Sequence, residues 1–303
     1  MGQGAYVEVV GVIGLGRMGS KLAENLLKKY ETVVWNRTVS KTAELSAKGA
    51  IAASSPAELA RKSTVIISML ATPEATTDVI LGRGPYRGVG VLDGLSPGKV
   101  VVDMSTNSPI VVRRMAVELS SRNVDLLDAP VMGSVQAAAE ASLTILASGN
   151  PSTFEKVRPI LESMGRRVWY LGDVGRASSL KIIFNLHLWL MTAAFAEAFT
   201  LAKRAGLDPS LTLEIWNSSN QKTYISETKG PKILKNDWKA AFTVDLALKD
   251  LHILSELAEE LAFPLFLGGV VRELYKSCAS MGLGDFDFAA IAQFYDKLSG
   301  EAH

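Results

Sequence analysis

The hydrophobic and polar positions divide the chain into a first part, where strands and helices alternate, and a second part that is helical. Short apolar runs rich in Val and Ile predict buried strands, and segments with helical periodicity separate them. The strands are predicted at residues 9–13, 32–35, 51–53, 64–70, 99–104, 124–131, 143–147 and 168–171. This alternation is typical of an α/β fold with a doubly wound parallel sheet, whose crossover helices cover both faces.

Strand patterns stop after Gly175, and helical patterns interrupted by Gly and Pro fill the rest of the chain. We predict a Rossmann-type domain over residues 1–173 and an all-helical domain, for substrate binding and oligomerisation, over residues 174–303. A long helix at about residues 177–204 joins them. It approaches membrane-spanning length, but it contains Lys181, Asn185, His187 and Glu197, so we expect a buried helix rather than a membrane span.

A glycine-rich segment follows the first predicted strand. Gly14, Gly16 and Gly19 form the pattern G-x-G-x-x-G where the strand must turn into a helix. The first glycine suits a tight turn, the second lets the backbone approach a pyrophosphate, and the third lets the helix pack closely on the strand. Amides at the helix N-terminus then attract phosphate. The predicted cofactor loop consists of Gly14, Leu15, Gly16, Arg17, Met18 and Gly19.

The end of the second predicted strand indicates which dinucleotide is bound. An NAD site places Asp or Glu there to accept hydrogen bonds from the ribose, whereas this chain has Asn36, Arg37 and Thr38. The Arg37 guanidinium suits a 2'-phosphate, and the two neutral side chains add hydrogen bonds. We therefore predict NADP(H) as the cofactor. The alternative is a polar strand end with a solvated Arg37.

Composition and charge are balanced: 303 residues with 32 basic and 31 acidic side chains give a net charge of +1. No global field attracts nucleic acid or a membrane, so the expected partner is a small-molecule substrate. Cys278 is the only cysteine, which excludes an internal disulfide. His187, His252 and His303 lack ligand spacing, so no metal site is expected. A first strand that begins by Val7 leaves no room for a secretion signal, so we expect a cytoplasmic protein.

The long helix contains the candidate catalytic residue. Lys181 and Asn185 are four residues apart and share one helix face in an otherwise apolar segment. Burying an ammonium group is costly unless it meets polar partners, so the pair suggests that this face lines a polar cleft. The alternative is that Lys181 lies in the first turn and reaches solvent.

Several further motifs, taken in order with the glycine pattern, resemble those of the β-hydroxyacid dehydrogenase family. Met69, Leu70 and Ala71 resemble a strand-end cofactor contact, and Ser105-Thr106 resembles the threonine-bearing segment beside the nicotinamide. Residues 128–134 resemble the substrate-binding segment, residues 175–185 match Gly-x5-Lys-x3-Asn, and residues 242–251 resemble the C-terminal Lys-Asp-Leu motif. The resemblance covers nearly the whole chain.

The resemblance implies roles for individual residues. Lys181 is implied to be the acid–base, Asn185 to orient the substrate, and Lys249 to close over the cofactor. The substrate-binding residues that it implies are Thr106, Met132, Gly133, Ser134, Phe242 and Asp250. The implied activity is NADP(H)-dependent hydride transfer between the nicotinamide and a small hydroxy acid, oxo acid or semialdehyde. The apolar C-terminal helices further suggest a homodimer or homotetramer.

Two positions depart from the family pattern. Met132 stands where the family usually has serine, and Met cannot donate a hydrogen bond to a substrate carboxylate. Ala141 replaces a common glycine, which could reshape the same loop. Met132 favours an alternative, an NADPH-dependent imine reductase with a more apolar pocket, although retention of Lys181 argues against it. A non-catalytic NADPH-binding protein is the other alternative.

Overall fold

The computed structural model describes residues 8–300. Val7, used above for the start of the first strand, and His303, one of the three histidines considered for a metal site, lie outside the described residues. The chain divides into two compact units, the first ending at Lys181 and the second beginning at Ile182. The predicted boundary lay at residues 173/174, whereas this division falls inside a helix.

Among the described residues, the first unit contains nine strands in two sheets. The strands are β1 (Val9–Ile13), β2 (Glu31–Trp35), β3 (Ile51–Ala52), β4 (Val65–Ser68), β5 (Val100–Asp103), β6 (Asp125–Asp128), β7 (Val131–Met132), β8 (Leu143–Ala147) and β9 (Gly165–Tyr170). The six-stranded sheet has the order β3-β2-β1-β4-β5-β6, and all its strand pairs are parallel. This confirms the predicted Rossmann-type sheet.

Helices connect these strands or follow them within the described part of the first unit, and the last of them continues into the second unit. They are α1 (Arg17–Leu26), α2 (Ala43–Ala47), α3 (Pro56–Lys62), α4 (Pro73–Leu81), α5 (Pro109–Ser120), α6 (Val135–Ala139), α7 (Pro151–Glu162) and α8 (Arg176–Arg204). Ser55 followed by Pro56 predicts a helix start, with serine as the cap and proline at the first helical position. The structure confirms it at α3, since the Ser55 side chain accepts a hydrogen bond from the Glu58 amide.

The predicted strand at residues 124–131 is wrong as a single element. It divides into β6 and β7, and β7 belongs to a separate three-stranded sheet of order β7-β8-β9. Pro130 lies between the two strands and has no amide to donate to a ladder, so the first sheet cannot continue through it. Its carbonyl instead accepts from the Leu146 amide at 3.0 Å, at the start of the small sheet. Strand β7 then pairs antiparallel with β8.

The second unit is helical, as predicted. After the remainder of α8 it contains α9 (Pro209–Ser218), α10 (Tyr224–Thr228), α11 (Gly230–Leu234), α12 (Val244–Glu260), α13 (Phe266–Cys278) and α14 (Ile291–Leu298). Its core includes Trp189, Phe199 and Tyr275, which are almost fully buried. The only cysteine of the chain, Cys278, is also buried, and this burial raises the pKa of its thiol to about 12.

Helix α8 is less enclosed than its composition predicts. It is long and apolar enough to cross a membrane, a property that core helices of soluble proteins share. Within the described structure Ile183 and Phe184 are about half exposed, at 49% and 46%, and His187 is exposed. One face of α8 is therefore left uncovered by the part of the chain that the structure describes.

Candidate active site

The glycine loop between β1 and α1 has the geometry of a dinucleotide cradle. Gly14 has φ +91°, a left-handed conformation that glycine adopts without strain. A Cβ atom on Gly19 would collide with the Gly14 carbonyl oxygen, so close packing of helix on strand needs glycine there. A Cβ on Gly16 would instead meet no atom within 4 Å, because open space lies before the helix N-terminus. These three glycines fit a bound pyrophosphate.

Asn36 holds the end of β2 against this loop. Its Oδ1 accepts a hydrogen bond from the Leu15 amide at 2.9 Å, and its Nδ2 donates to the Thr38 carbonyl at 3.0 Å. Asn36 therefore shapes the loop as well as offering polar atoms to a ligand. Arg37 and Thr38 are exposed at the same edge. Their side chains are accessible to a cofactor, as the sequence interpretation requires.

The carboxyl ends of β4 and β5 are tied together beside the glycine loop. The Leu70 amide donates to Ser105 Oγ at 2.9 Å, and the Ser105 amide donates to Asp103 Oδ1 at 3.1 Å. Met69 and Leu70 are half-buried and Ala71 is exposed, while Thr106 is half-buried. The predicted cofactor contact and the predicted threonine segment therefore meet at one edge of the sheet.

Two buried carboxylates lie at this edge. Sequence reasoning did not consider Asp103, and it included Asp128 only as the first residue of the segment 128–134. Asp103 and Asp128 end adjacent strands and are register partners. Burial raises the pKa of Asp103, against the lowering effect of its hydrogen bonds to Asn107 and Ser105. Burial also raises the pKa of Asp128, to about 6, and the nearby Asp103 contributes to the rise. For Asp103 the only sequence signal is an acidic residue that ends an apolar strand.

The substrate segment forms a turn between β7 and α6. Met132 is half-buried in β7, while Gly133, at φ +139°, and Ser134 are exposed. Ser134 caps α6, because its Oγ accepts from the Ala137 amide at 3.3 Å. A serine hydroxyl that accepts one hydrogen bond retains a proton to donate. Ser134 can therefore offer a donor to a substrate carboxylate.

Ala141 follows α6 in the left-handed region, with φ +50°. The Ser142 amide donates to the Ala137 carbonyl at 2.8 Å and the Ala141 amide to the Ala138 carbonyl at 3.3 Å, which is a Schellman motif. Glycine suits this position because a Cβ disfavours the conformation. The loop keeps the backbone that glycine would adopt.

Lys181 and Asn185 both lie on α8, one turn apart, and Lys181 belongs to the first unit while Asn185 belongs to the second. In the second unit Asn185 is buried, and its Nδ2 donates to Asp250 Oδ2 at 2.6 Å. Lys249 Nζ lies 2.9 Å from Asp250 Oδ1. The structure therefore brings together three of the predicted residues of this unit, Asn185, Lys249 and Asp250.

The remaining predicted residue of the second unit, Phe242, is half-buried just before α12. Its ring packs against Trp189, with centroids 5.4 Å apart. Trp189 is two turns beyond Lys181 on α8. Among the residues that the structure describes, no three His, Cys, Asp or Glu side chains form a potential metal site.

A glycine cradle at the end of the first strand of a parallel sheet is the dinucleotide-binding feature of NAD(P)-dependent oxidoreductases, and this chain is a member of that class. Residues 9–172 match the model for the NAD-binding domain of 6-phosphogluconate dehydrogenase. Residues 175–295 match the model for the NAD-binding domain of NADP-dependent 3-hydroxyisobutyrate dehydrogenase. The chain belongs to the β-hydroxyacid dehydrogenase family.

Individual relatives agree with this assignment. Glyoxylate/succinic semialdehyde reductase 1 of Arabidopsis thaliana is 34% identical over 285 residues, which cover 94% of this chain and 97% of that protein. 2-(Hydroxymethyl)glutarate dehydrogenase of Eubacterium barkeri is 33% identical, over 96% of each chain. The crystal structure of 3-hydroxyisobutyrate dehydrogenase from Salmonella typhimurium has a TM-score of 0.86 at 29% identity and covers 95% of this chain and 99% of its own.

Proposed function

We propose that this protein is an NADP(H)-dependent reductase or dehydrogenase of small oxo or hydroxy acids or semialdehydes, with Lys181 as the acid–base. The observation that carries the proposal is the position of Lys181. It lies one helical turn beyond Ser178, whose amide and hydroxyl bind Asp128 at the carboxyl end of β6. Ligands of doubly wound sheets bind outside the carboxyl ends of the strands. This supports a reactive centre beside Lys181.

In the proposed mechanism, a bound nicotinamide supplies or accepts the hydride. The Lys181 ammonium gives a proton to the substrate oxygen during reduction and takes it back during oxidation. Asn185 donates one amide hydrogen to Asp250, so its Oδ1 is held as an acceptor for a substrate hydroxyl. A lysine is protonated at neutral pH, so we expect reduction to proceed there and oxidation to improve as the pH rises.

Lys181→Met tests this role directly. Loss of a general acid typically lowers the rate by about 10²- to 10⁴-fold, so kcat should fall by that range while the Kd for NADPH is retained. Lys276→Met, on an exposed stretch of α13, is the control and should leave kcat unchanged. Near-normal turnover by Lys181→Met would show that another group supplies the proton.

Cofactor preference rests on Arg37, which is exposed at the end of β2. Arg37→Ala should weaken NADPH binding by about 1.5 to 3 kcal/mol, the range for a hydrogen bond to a charged group, and leave NADH binding nearly unchanged. Arg61→Ala, an exposed arginine in α3, is the control. Equal losses of binding free energy for NADPH and NADH would show that Arg37 does not bind the 2'-phosphate.

The substrate class is tested with NADPH oxidation on glyoxylate, succinic semialdehyde, methylmalonate semialdehyde, tartronate semialdehyde and a cyclic imine. The half-buried, apolar Met132 is the observation that favours the imine reductase alternative. Turnover of only the imine would replace the leading proposal with that alternative. If the pocket receives a carboxylate beside Ser134, Met132→Ser should lower KM for the oxo acids, because it adds one donor.

We also propose a homodimer or homotetramer. Apolar side chains on one end of α13 are strongly exposed, namely Phe266 at 80%, Leu267 at 69% and Val270 at 61%. Contiguous exposed apolar surface is typical of interaction sites. Light scattering after size exclusion measures the assembly state, and a monomer at micromolar concentration would contradict the proposal.

A further inference from the structure

The helix that carries Lys181 is capped from outside itself. Its first intrahelical hydrogen bond runs from the Ser179 amide to the Gly175 carbonyl, so Gly175 occupies the N-cap position and has no side chain to offer. The Ala177 amide donates instead to Ser148 Oγ at 3.1 Å, and the Ser178 amide donates to Asp128 Oδ2 at 2.9 Å. Ser148 and Asp128, which lie 29 and 50 positions before the residues they bind, therefore accept hydrogen bonds from two amides of the first turn.

Asp128 is the centre of this arrangement. It is fully buried, and its carboxylate also accepts from Ser178 Oγ at 2.6 Å and from Ser148 Oγ at 3.1 Å. Its backbone is fixed as well, because its amide donates to the Ser148 carbonyl at 2.9 Å and its carbonyl accepts from the Ser148 amide at 2.8 Å. The cap is therefore held by both backbone and side chain at the carboxyl end of β6.

The cap is close to Lys181 along the helix. Residues three apart lie on neighbouring positions of one helix face, about 4.5 Å apart along the axis at the usual rise per residue. A helix turn transmits a displacement of Ser178 to Lys181 because the intervening backbone is hydrogen-bonded. We propose that Asp128 is a positioning residue, which acts through Ser178 to fix the place of the Lys181 ammonium. This inference rests on the proposed function.

A carboxylate suits this task better than a neutral cap. It accepts three hydrogen bonds from Ser148 and Ser178 and has no hydrogen of its own to satisfy. The positive end of the helix dipole, at the N-terminus of α8, also stabilises the negative charge of this carboxylate. Burial disfavours that charge, as the raised pKa of Asp128 records. The chain thus keeps a buried carboxylate beside α8, although a Ser or Asn at the N-cap position of the helix would cap it without that cost.

Asp128→Ala and Asp125→Ala form the matched pair that tests the inference. Asp125 lies at the other end of β6, where it accepts from Thr153 rather than from α8. Because a misplacement of about 1 Å can cost about 10²-fold in rate, we expect kcat of Asp128→Ala to fall by about 10- to 100-fold. The Kd for NADPH should change by less than about twofold, since the glycine cradle does not use this cap. Asp125→Ala should keep kcat.

Two further variants distinguish positioning from general damage. Asp128→Asn has the same shape, and its amide can bind the Ser178 hydroxyl after that hydroxyl rotates, so it should recover most of the lost kcat. If Asp128→Ala does not fold, Ser178→Ala and Ser148→Ala take its place. Each removes one hydroxyl from the cap and should lower kcat severalfold without weakening NADPH.

The outcomes separate this inference from the proposed function. Lys181→Met is measured in parallel. If Lys181→Met is inactive and Asp128→Ala matches Asp125→Ala in kcat, Asp128 does not position the lysine and the inference fails alone. If Ser178→Ala and Ser148→Ala are used instead of Asp128→Ala and both keep the wild-type kcat, the inference also fails alone. If Lys181→Met remains active, the proposed function fails, and a low kcat in Asp128→Ala then belongs to another group.

Discussion

The two units bury their carboxylates in different ways. In the first unit, neutral donors hold Asp103 and Asp128: Ser68, Ser105 and Asn107 bind the former, while Ser148 and Ser178 bind the latter. In the described part of the second unit, each buried carboxylate lies against a lysine Nζ. These pairs are Asp250 with Lys249 at 2.9 Å, Asp287 with Lys229 at 2.8 Å and Asp296 with Lys203 at 2.8 Å.

The difference has a consequence for protonation. Desolvation disfavours a charged carboxylate, and neutral donors offset it only in part, so the pKa values of Asp103 and Asp128 are raised. A lysine offsets the same cost with its charge. The first unit therefore carries groups that respond to pH beside its candidate active site. One of the pairs in the second unit also holds backbone, because Asp287 accepts hydrogen bonds from the Ala241 and Ala289 amides.

The largest expected effect comes from breaking a pair in the second unit. Lys229 is almost fully buried beside Asp287, and its Nζ lies 4.2 Å from the centroid of the Phe288 ring. Lys229→Met leaves the carboxylate buried without an opposite charge beside it, so we expect the free energy of unfolding to fall by about 3 to 5 kcal/mol. Urea denaturation followed by tryptophan fluorescence measures it.

Lys232→Met is the matched control for this variant. Lys232 pairs with Asp237, whose side chain is 50% exposed, and an exposed pair contributes about 1 kcal/mol or less. Equal losses of unfolding free energy in the two lysine variants would mean that a buried pair contributes no more to stability than an exposed one. That result would contradict the expected role of the buried pairs in the second unit.

The second prediction concerns pH and the first unit. The pKa of Asp128 is about 6 in the folded chain against 3.8 as the ordinary value, so the folded state binds more protons between these values. Stability contributed by Asp128 is therefore present at low pH and is lost as the pH rises through about 6. The shift corresponds to about 3 kcal/mol in total.

Comparison with Asp128→Asn isolates this contribution, because other carboxyl groups titrate in both proteins. The difference in unfolding free energy between wild type and variant should change between pH 4 and pH 6 and stay constant above pH 7. A difference that is flat across the whole range would show that Asp128 does not titrate there.

The smallest expected effect concerns a single neutral donor to a buried carboxylate of the first unit. Ser68 Oγ donates to Asp103 Oδ1 at 2.9 Å in the interior. Ser68→Ala should lower the unfolding free energy by about 1.5 kcal/mol, because a buried carboxyl oxygen loses one of its hydrogen-bond donors. Ser120→Ala removes an exposed hydroxyl of α5 that bonds only locally, and it should change stability by less than about 0.5 kcal/mol. A loss no larger than that of Ser120→Ala would show that the buried hydrogen bond to Asp103 contributes no stability.

Much of the fold follows from local pattern. The alternation of apolar runs and helical segments predicted the parallel sheet, and Ser55-Pro56 predicted a helix start, because both signals lie within a few residues. The separate β7-β8-β9 sheet was not predicted. Its cause, the missing amide of Pro130, is visible in the sequence, but the partner strands are not.

The candidate site divides in the same way. The glycine loop and the spacing of Lys181 and Asn185 are local, so sequence suggested them. The cap formed by Asp128 and Ser178 joins residues 50 positions apart, and no periodicity signals it. Asn36 was expected to serve a ligand, and its bond to the Leu15 amide came only with the folded loop. Ala141 drew attention as a departure, whereas its left-handed φ explains why glycine is usual there.

The buried Cys278 gives the chain a practical advantage for spectroscopy. With its pKa raised to about 12 and no exposed surface, its thiol stays protonated and out of contact with maleimide reagents at neutral pH. The chain has no other cysteine. A cysteine introduced at an exposed position would therefore take up a fluorophore or spin label by itself, without prior removal of the native thiol. Pairs of such labels would allow distances within the folded protein to be followed in solution as ligands are added.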